Sequence, residues 1–176
     1  PGLYGPMSLD GRYVYIDKGN LATILQKRFA VDTVFQGKSN AGWFVEEKIV
    51  RWQGYPYTKI TLETESCTVP GHESDGWMRY GEADWLNYAM CQENGNVLCR
   101  FINFRQLKEK FWATLDENPD LWPETISKQH NRTACRKVPL SWIEKNVGIH
   151  PCLVHATPEG AEIVKAYNAG HYMANA

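Results

Sequence analysis

Asp32, Glu46 and Lys48 are the residues whose types and spacing lend themselves to chemistry. Asp32 lies in Ala30-Val31-Asp32-Thr33-Val34-Phe35, which reads as a β-segment. Glu46 and Lys48 lie in the next one, the apolar run Gly42-Trp43-Phe44-Val45-Glu46-Glu47-Lys48-Ile49-Val50. Side chains alternate faces along a strand, so Glu46 and Lys48 point one way and Glu47 the other. Two carboxylates and an ammonium converging at a sheet edge suit a hard divalent cation and an activated water. That is the chemistry of phosphodiester hydrolysis. A Glu-x-Lys triplet also occurs on solvated edge strands that carry cross-strand ion pairs. The surrounding elements must therefore decide between the two.

Residues 21–29 place Leu21, Ile24, Leu25 and Phe29 at helical spacing, with Asn20 as N-cap. A strand through Asp32, a turn through Gly37-Lys38-Ser39-Asn40 and the strand carrying Glu46 and Lys48 follow. Residues 59–66 read as a third strand.

This order, helix, strand and strand with D…E-x-K on the hairpin, resembles the PD-(D/E)XK nuclease superfamily, in its small phage or mobile-element, Holliday-junction-resolvase-like form. Further along, Glu82-Ala83-Asp84-Trp85-Leu86-Asn87-Tyr88-Ala89-Met90 is similar to the segment that follows the third strand in small nucleases of this group. Residues 97–102 and 103–109 resemble their strand leading into a short helix, and residues 137–143 their closing segment. The likeness spans residues 15–146 and departs from the family's name at Val31, which stands where the name has proline.

The resemblance implies an α/β fold: a single domain with a mixed central sheet of four or five strands flanked by helices, and a restriction-endonuclease-like core. It implies a metal-dependent DNA endonuclease. Asp32 and Glu46 would bind Mg²⁺, with Mn²⁺ able to substitute, and the backbone carbonyl of Glu47 would be a further ligand. Lys48 would orient or help deprotonate the attacking water, and Gln26 would support the site. DNA is the implied partner, and a homodimer would pair two sites on two strands.

Composition sets bounds on this reading. With 176 residues and 43% apolar content, the chain fills one core and is too short for two ordinary domains. Residues 1–6, ahead of Met7, read as foreign to the fold, leaving 7–176 as a single nuclease-like domain. Nineteen Lys and Arg against 20 Asp and Glu give a formal charge of −1, which is not the signature of a non-specific DNA binder. A local basic rim is compatible with it. Lys27, Arg28, Lys38, Arg51 and Lys59 are the candidate nucleic-acid contacts, with Lys18 and Arg79 nearby in sequence. Five cysteines without a Cys-x-x-Cys pair point to reduced, structural thiols and a cytoplasmic setting. No stretch reaches the length of a membrane span, and no signal-peptide pattern is present.

Elsewhere, residues 12–16 alternate as a short strand and residues 66–81 read as loop. Leu107, Phe111 and Leu115 mark an amphipathic helix over 106–115, and residues 116–136 read as a long, substrate-contacting loop. Pro158, at the first helical position after Thr157, opens a last helix.

Glu63 and Glu65, two apart on a strand expected to lie beside that of Glu46, are either support for the site or a solvent face. They also form a second-ranked catalytic alternative that lacks a lysine. Asp84 reads as a cap or buried acceptor. His130-Asn131-Arg132 lacks the second histidine of an HNH site, and His150, Cys152 and His155 lack a second pair at zinc-ligand spacing. The competing functions are a non-catalytic nucleic-acid-binding or inhibitor protein that retains the fold, and an interaction module built on exposed aromatics.

Overall fold

The computed structural model describes residues 12–15, 33–36, 42–52, 54, 57–127, 132–155 and 158–169. Strands β1 (Arg12–Tyr15), β2 (Thr33–Gln36), β3 (Gly42–Val50), β6 (Trp85–Cys91), β7 (Val97–Asn103) and β10 (His150–Val154) form a six-stranded sheet in the order β1-β2-β3-β6-β7-β10. β3 pairs with β6 in parallel and the other neighbours run antiparallel. Parallel neighbours need a crossover. Here the crossover carries β4 (Lys59–Cys67), β5 (Ser74–Asp75) and the one-turn helix α1 (Trp77–Tyr80). β4 and β5 join β8 (Glu124–Ile126) and β9 (Ala134–Pro139) in a second, antiparallel sheet of order β5-β4-β9-β8. The remaining helices are α2 (Phe104–Glu117), α3 (Leu140–Asn146) and α4 (Pro158–Asn168).

The fold is therefore mixed α/β, and one core ties both sheets together. Alternation along β4 turns Ile60 and Leu62 inward, where they meet Leu86, Tyr88 and Met90 of β6 and Ile102 of β7. Helix α2 fills the space between with Phe104, Leu107, Phe111 and Leu115, a stripe at three- and four-residue spacing. Its first turn is capped by the Asn103 side chain, which accepts from the Gln106 N–H at 2.9 Å. Each buried side chain of this size contributes about 1.5–3 kcal/mol. A second cluster, on the other face of β6 and β7, joins Ala89, Cys91, Val97 and Cys99 with Val154 and packs against Val164 of α4.

The strands read at 12–16, 42–50, 59–66 and 97–102 and the helix over 106–115 are present, the helix longer at both ends. Other expectations need correction. The central sheet has six strands rather than four or five. β4 does not lie beside β3, whose neighbours are β2 and β6. Residues 66–81 hold β5 and α1, and residues 116–136 hold β8 and the start of β9. Trp122 explains that last difference: its buried ring stacks on Phe111 at 5.7 Å and meets Trp142 edge-on at 4.7 Å. No helix among the described residues is long and apolar enough to cross a membrane. The helix expected at 21–29 lies outside the described residues.

Candidate functional site

The site is built on β3, and Asp84 fixes where its pairing with β6 starts. The Phe44 N–H donates to Asp84 Oδ2 at 2.9 Å, and the Asp84 N–H returns a bond to the Phe44 carbonyl at 2.8 Å. The Asp84 carbonyl accepts from the Phe104 N–H at 2.9 Å. One residue thus pins β3, the entry to β6 and the first residue of α2. It is the acceptor its place in an apolar run suggests.

With the start fixed, the register sets the faces. Glu46 pairs with Leu86 and Lys48 with Tyr88, both core residues, while Glu47 pairs with Asn87 on the opposite face. The Asn87 side chain donates to Glu47 Oε1 at 3.4 Å. Glu46 is 3% exposed, and its carboxylate is ion-paired with the Lys48 ammonium. The Lys48 Nζ also sits 5.1 Å from the ring centroid of Trp77, which is itself buried. On the other side of the same strand, burial pushes the Cys99 thiol up to about 12, with the charge of Glu47 adding to the effect.

The second sheet meets this face. Burial pushes the Cys135 thiol on β9 up to about 11; Glu63 and Glu124 add to the rise, and the Lys48 charge opposes it. Lys48, Glu63 and Glu124 therefore act on one thiol. Glu63 Oε1 accepts from the Ser66 hydroxyl at 2.7 Å. A register shift against β9 falls between Glu63, opposite Cys135, and Glu65, opposite Ala134, while burial along β4 still alternates, with Thr64 buried between two half-buried acids. Burial also pushes the Tyr88 phenol up, partly offset by hydrogen bonds with Thr61 of β4.

Among the other named residues, Arg51 and Lys59 are exposed. Arg79 is held by Asp75 at 3.4 Å and lies over the Trp112 ring at 4.3 Å. His150 meets the Trp85 ring edge-on at 5.8 Å. Asp32, Gln26, Lys27, Arg28, Lys38, Lys18 and His130 lie outside the described residues.

Among the described residues, no group of three or more His, Cys, Asp or Glu stands ready to hold a metal ion. Of the expected carboxylate ligands, Glu46 alone lies among the described residues, nearly buried and paired with Lys48. Sequence reasoning missed Trp77. The available signal for Trp77 was a large aromatic set between Gly76 and Gly81 in a stretch read as loop. No protein-family model, curated protein or solved structure matches this chain.

Proposed function

We propose that this protein is a metal-dependent DNA endonuclease of the PD-(D/E)XK type, with Asp32, Glu46 and Lys48 as its catalytic residues. The observation that carries the reading is the nearly buried Glu46 carboxylate paired with Lys48 on one face of β3, with Glu47 turned away. The Lys48 end of this pair stays about one-third exposed, so the pair is screened by solvent and contributes little to stability. A carboxylate held nearly buried beside a specific charged partner is a candidate for a functional group. Asp32 directly precedes Thr33, and Thr33 pairs with Val45, the neighbour of Glu46.

In this reading Asp32, Glu46 and the Glu47 carbonyl hold Mg²⁺ or Mn²⁺. When bound, the ion supplies Lewis acidity toward the phosphate and acidifies water. The Glu46 carboxylate, screened from solvent, keeps its donor oxygens fixed. Lys48 orients the attacking water and stabilises the negative charge that develops on the phosphoryl oxygens. Arg51 and Lys59, with Lys27, Arg28 and Lys38, contact the DNA backbone, and Glu63 with Glu65 and Gln26 support the site. A homodimer would place two such sites on two strands. The test is incubation of the purified protein with plasmid DNA. Nicking or linearisation with Mg²⁺ or Mn²⁺, stopped by a chelator, is the expected result. DNA binding without metal-dependent cleavage would favour the non-catalytic binder instead.

A further inference from the structure

The Lys48 ammonium rests on the ring of Trp77, 5.1 Å from its centroid. That ring is 3% exposed and closely held. On one side, the Gly76 N–H donates to the Thr64 carbonyl at 2.9 Å. A Cβ on Gly76 would stand 2.6 Å from the Glu63 carbonyl oxygen, so α1 approaches β4 as closely as glycine permits. On the other side, the Gly81 N–H donates to the Trp77 carbonyl at 2.9 Å. A Cβ there would stand 2.8 Å from a Phe104 ring carbon. Phe104 in turn packs on the indole at 5.6 Å. The backbone that carries the indole is thus held against β4, and Phe104 of α2 packs on the ring itself.

Lysine is the opposite kind of group, a compact cation on a flexible four-carbon stem with large rotamer entropy. A carboxylate alone attracts it from many directions. The negative face of an aromatic ring adds direction to that attraction, and a desolvated ring adds more than an exposed one. We infer that Trp77 is a positioning residue for Lys48: it fixes the ammonium above Glu46 in the rotamer that faces the phosphate. This rests on the nuclease reading of the same site, and Trp77 acts through Lys48 rather than on the substrate.

Packing alone would also bury a tryptophan here, so the test alters the ring's charge distribution and leaves its shape nearly unchanged. Trp77 in the full chain is replaced, site-specifically, by mono-, di- and trifluorotryptophan. Single-turnover cleavage of duplex DNA with Mg²⁺ is measured together with melting temperature and DNA affinity. Lysine ¹³C spectra, assigned with Lys48→Arg, report the ring contact without reference to activity.

The expected result is an upfield-shifted Lys48 ε-methylene in the unmodified protein. Cleavage should fall stepwise with fluorination, by about five- to thirty-fold in total, while melting temperature and affinity hold. Trp77→Phe should keep an intermediate rate and Trp77→Leu should lose it. A flat rate across the fluorinated series, or an unshifted ε-methylene, overturns the inference and leaves the nuclease reading standing. A shifted ε-methylene in a protein that cleaves no DNA overturns the nuclease reading, and the positioning role falls with it.

Discussion

At the scale of single residues, the difference between Glu46 and Glu47 matters most. They are the same amino acid side by side, yet one is buried against an ammonium and the other lies beside Asn87 and Cys99. Lys48 remains about one-third exposed, so its attraction to Glu46 is screened and adds little to stability. Removing Lys48 leaves a desolvated carboxylate without that cation, at a cost of about 1–3 kcal/mol. Loss of activity in a Lys48 variant must therefore be read beside its folding. The cysteines give a pH prediction with a definite sign. Burial raises Cys99 from the ordinary 9.0 to about 12. Between pH 9 and 12 the unfolded chain releases this proton and the folded chain retains it. Stability is therefore unaffected by this group below pH 9 and falls as pH rises through that window. Lys108, lowered by burial, works in the opposite direction near its own titration. The isolating measurement is the slope of unfolding free energy against pH for wild type and Cys99→Ala. The wild type should lose stability more steeply above pH 9, and equal slopes would refute this account of the thiol.

At the scale of elements, β3 and α1 do different jobs. β3 presents the chemistry, because alternation and the Asp84 clamp decide which side chains face the core. Helix α1 has only one turn and no side-chain N-cap, so it does not stand on intrinsic propensity. It is held by close approach at Gly76 and Gly81 instead. Gly76→Ala forces a methyl to within 2.6 Å of a backbone oxygen and 2.7 Å of the Glu65 nitrogen. All of these atoms are backbone of β4, which has little room to give. The substitution should destabilise by about 1–3 kcal/mol, read from urea denaturation midpoints at unchanged slope. It should also disturb the Lys48–Trp77 contact, visible as a shift of the Lys48 ε-methylene resonance. A neutral Gly76→Ala would mean that α1 is free to move and that Trp77 is not rigidly held.

At the scale of the whole molecule, local patterns were legible and long-range pairing was not. The face shared by Glu46 and Lys48 follows from the two-residue period of a strand, and the buried stripe of α2 from Leu107, Phe111 and Leu115. Nothing local announces that β3 takes β6 as its parallel neighbour or that β4 leaves for a second sheet, since both are set by packing across the core. β8 was hidden among prolines and polar residues because its three residues are all exposed. Pro151, which cannot donate to a ladder, hides β10 within His150–Val154. Trp77 depends on three-dimensional closeness to Lys48, which no spacing encodes. The central claim is that the face carrying Glu46 and Lys48 hydrolyses DNA with a divalent metal. Its most direct test is the Mg²⁺-dependent cleavage rate of Glu46→Gln, Lys48→Ala and Glu47→Gln, measured side by side on proteins verified as folded. Glu46→Gln and Lys48→Ala should lose at least about a hundredfold in cleavage rate, and Glu47→Gln should keep most of its activity. Loss in Glu47→Gln with Glu46→Gln and Lys48→Ala active would place the chemistry on the opposite face of β3 and contradict the account.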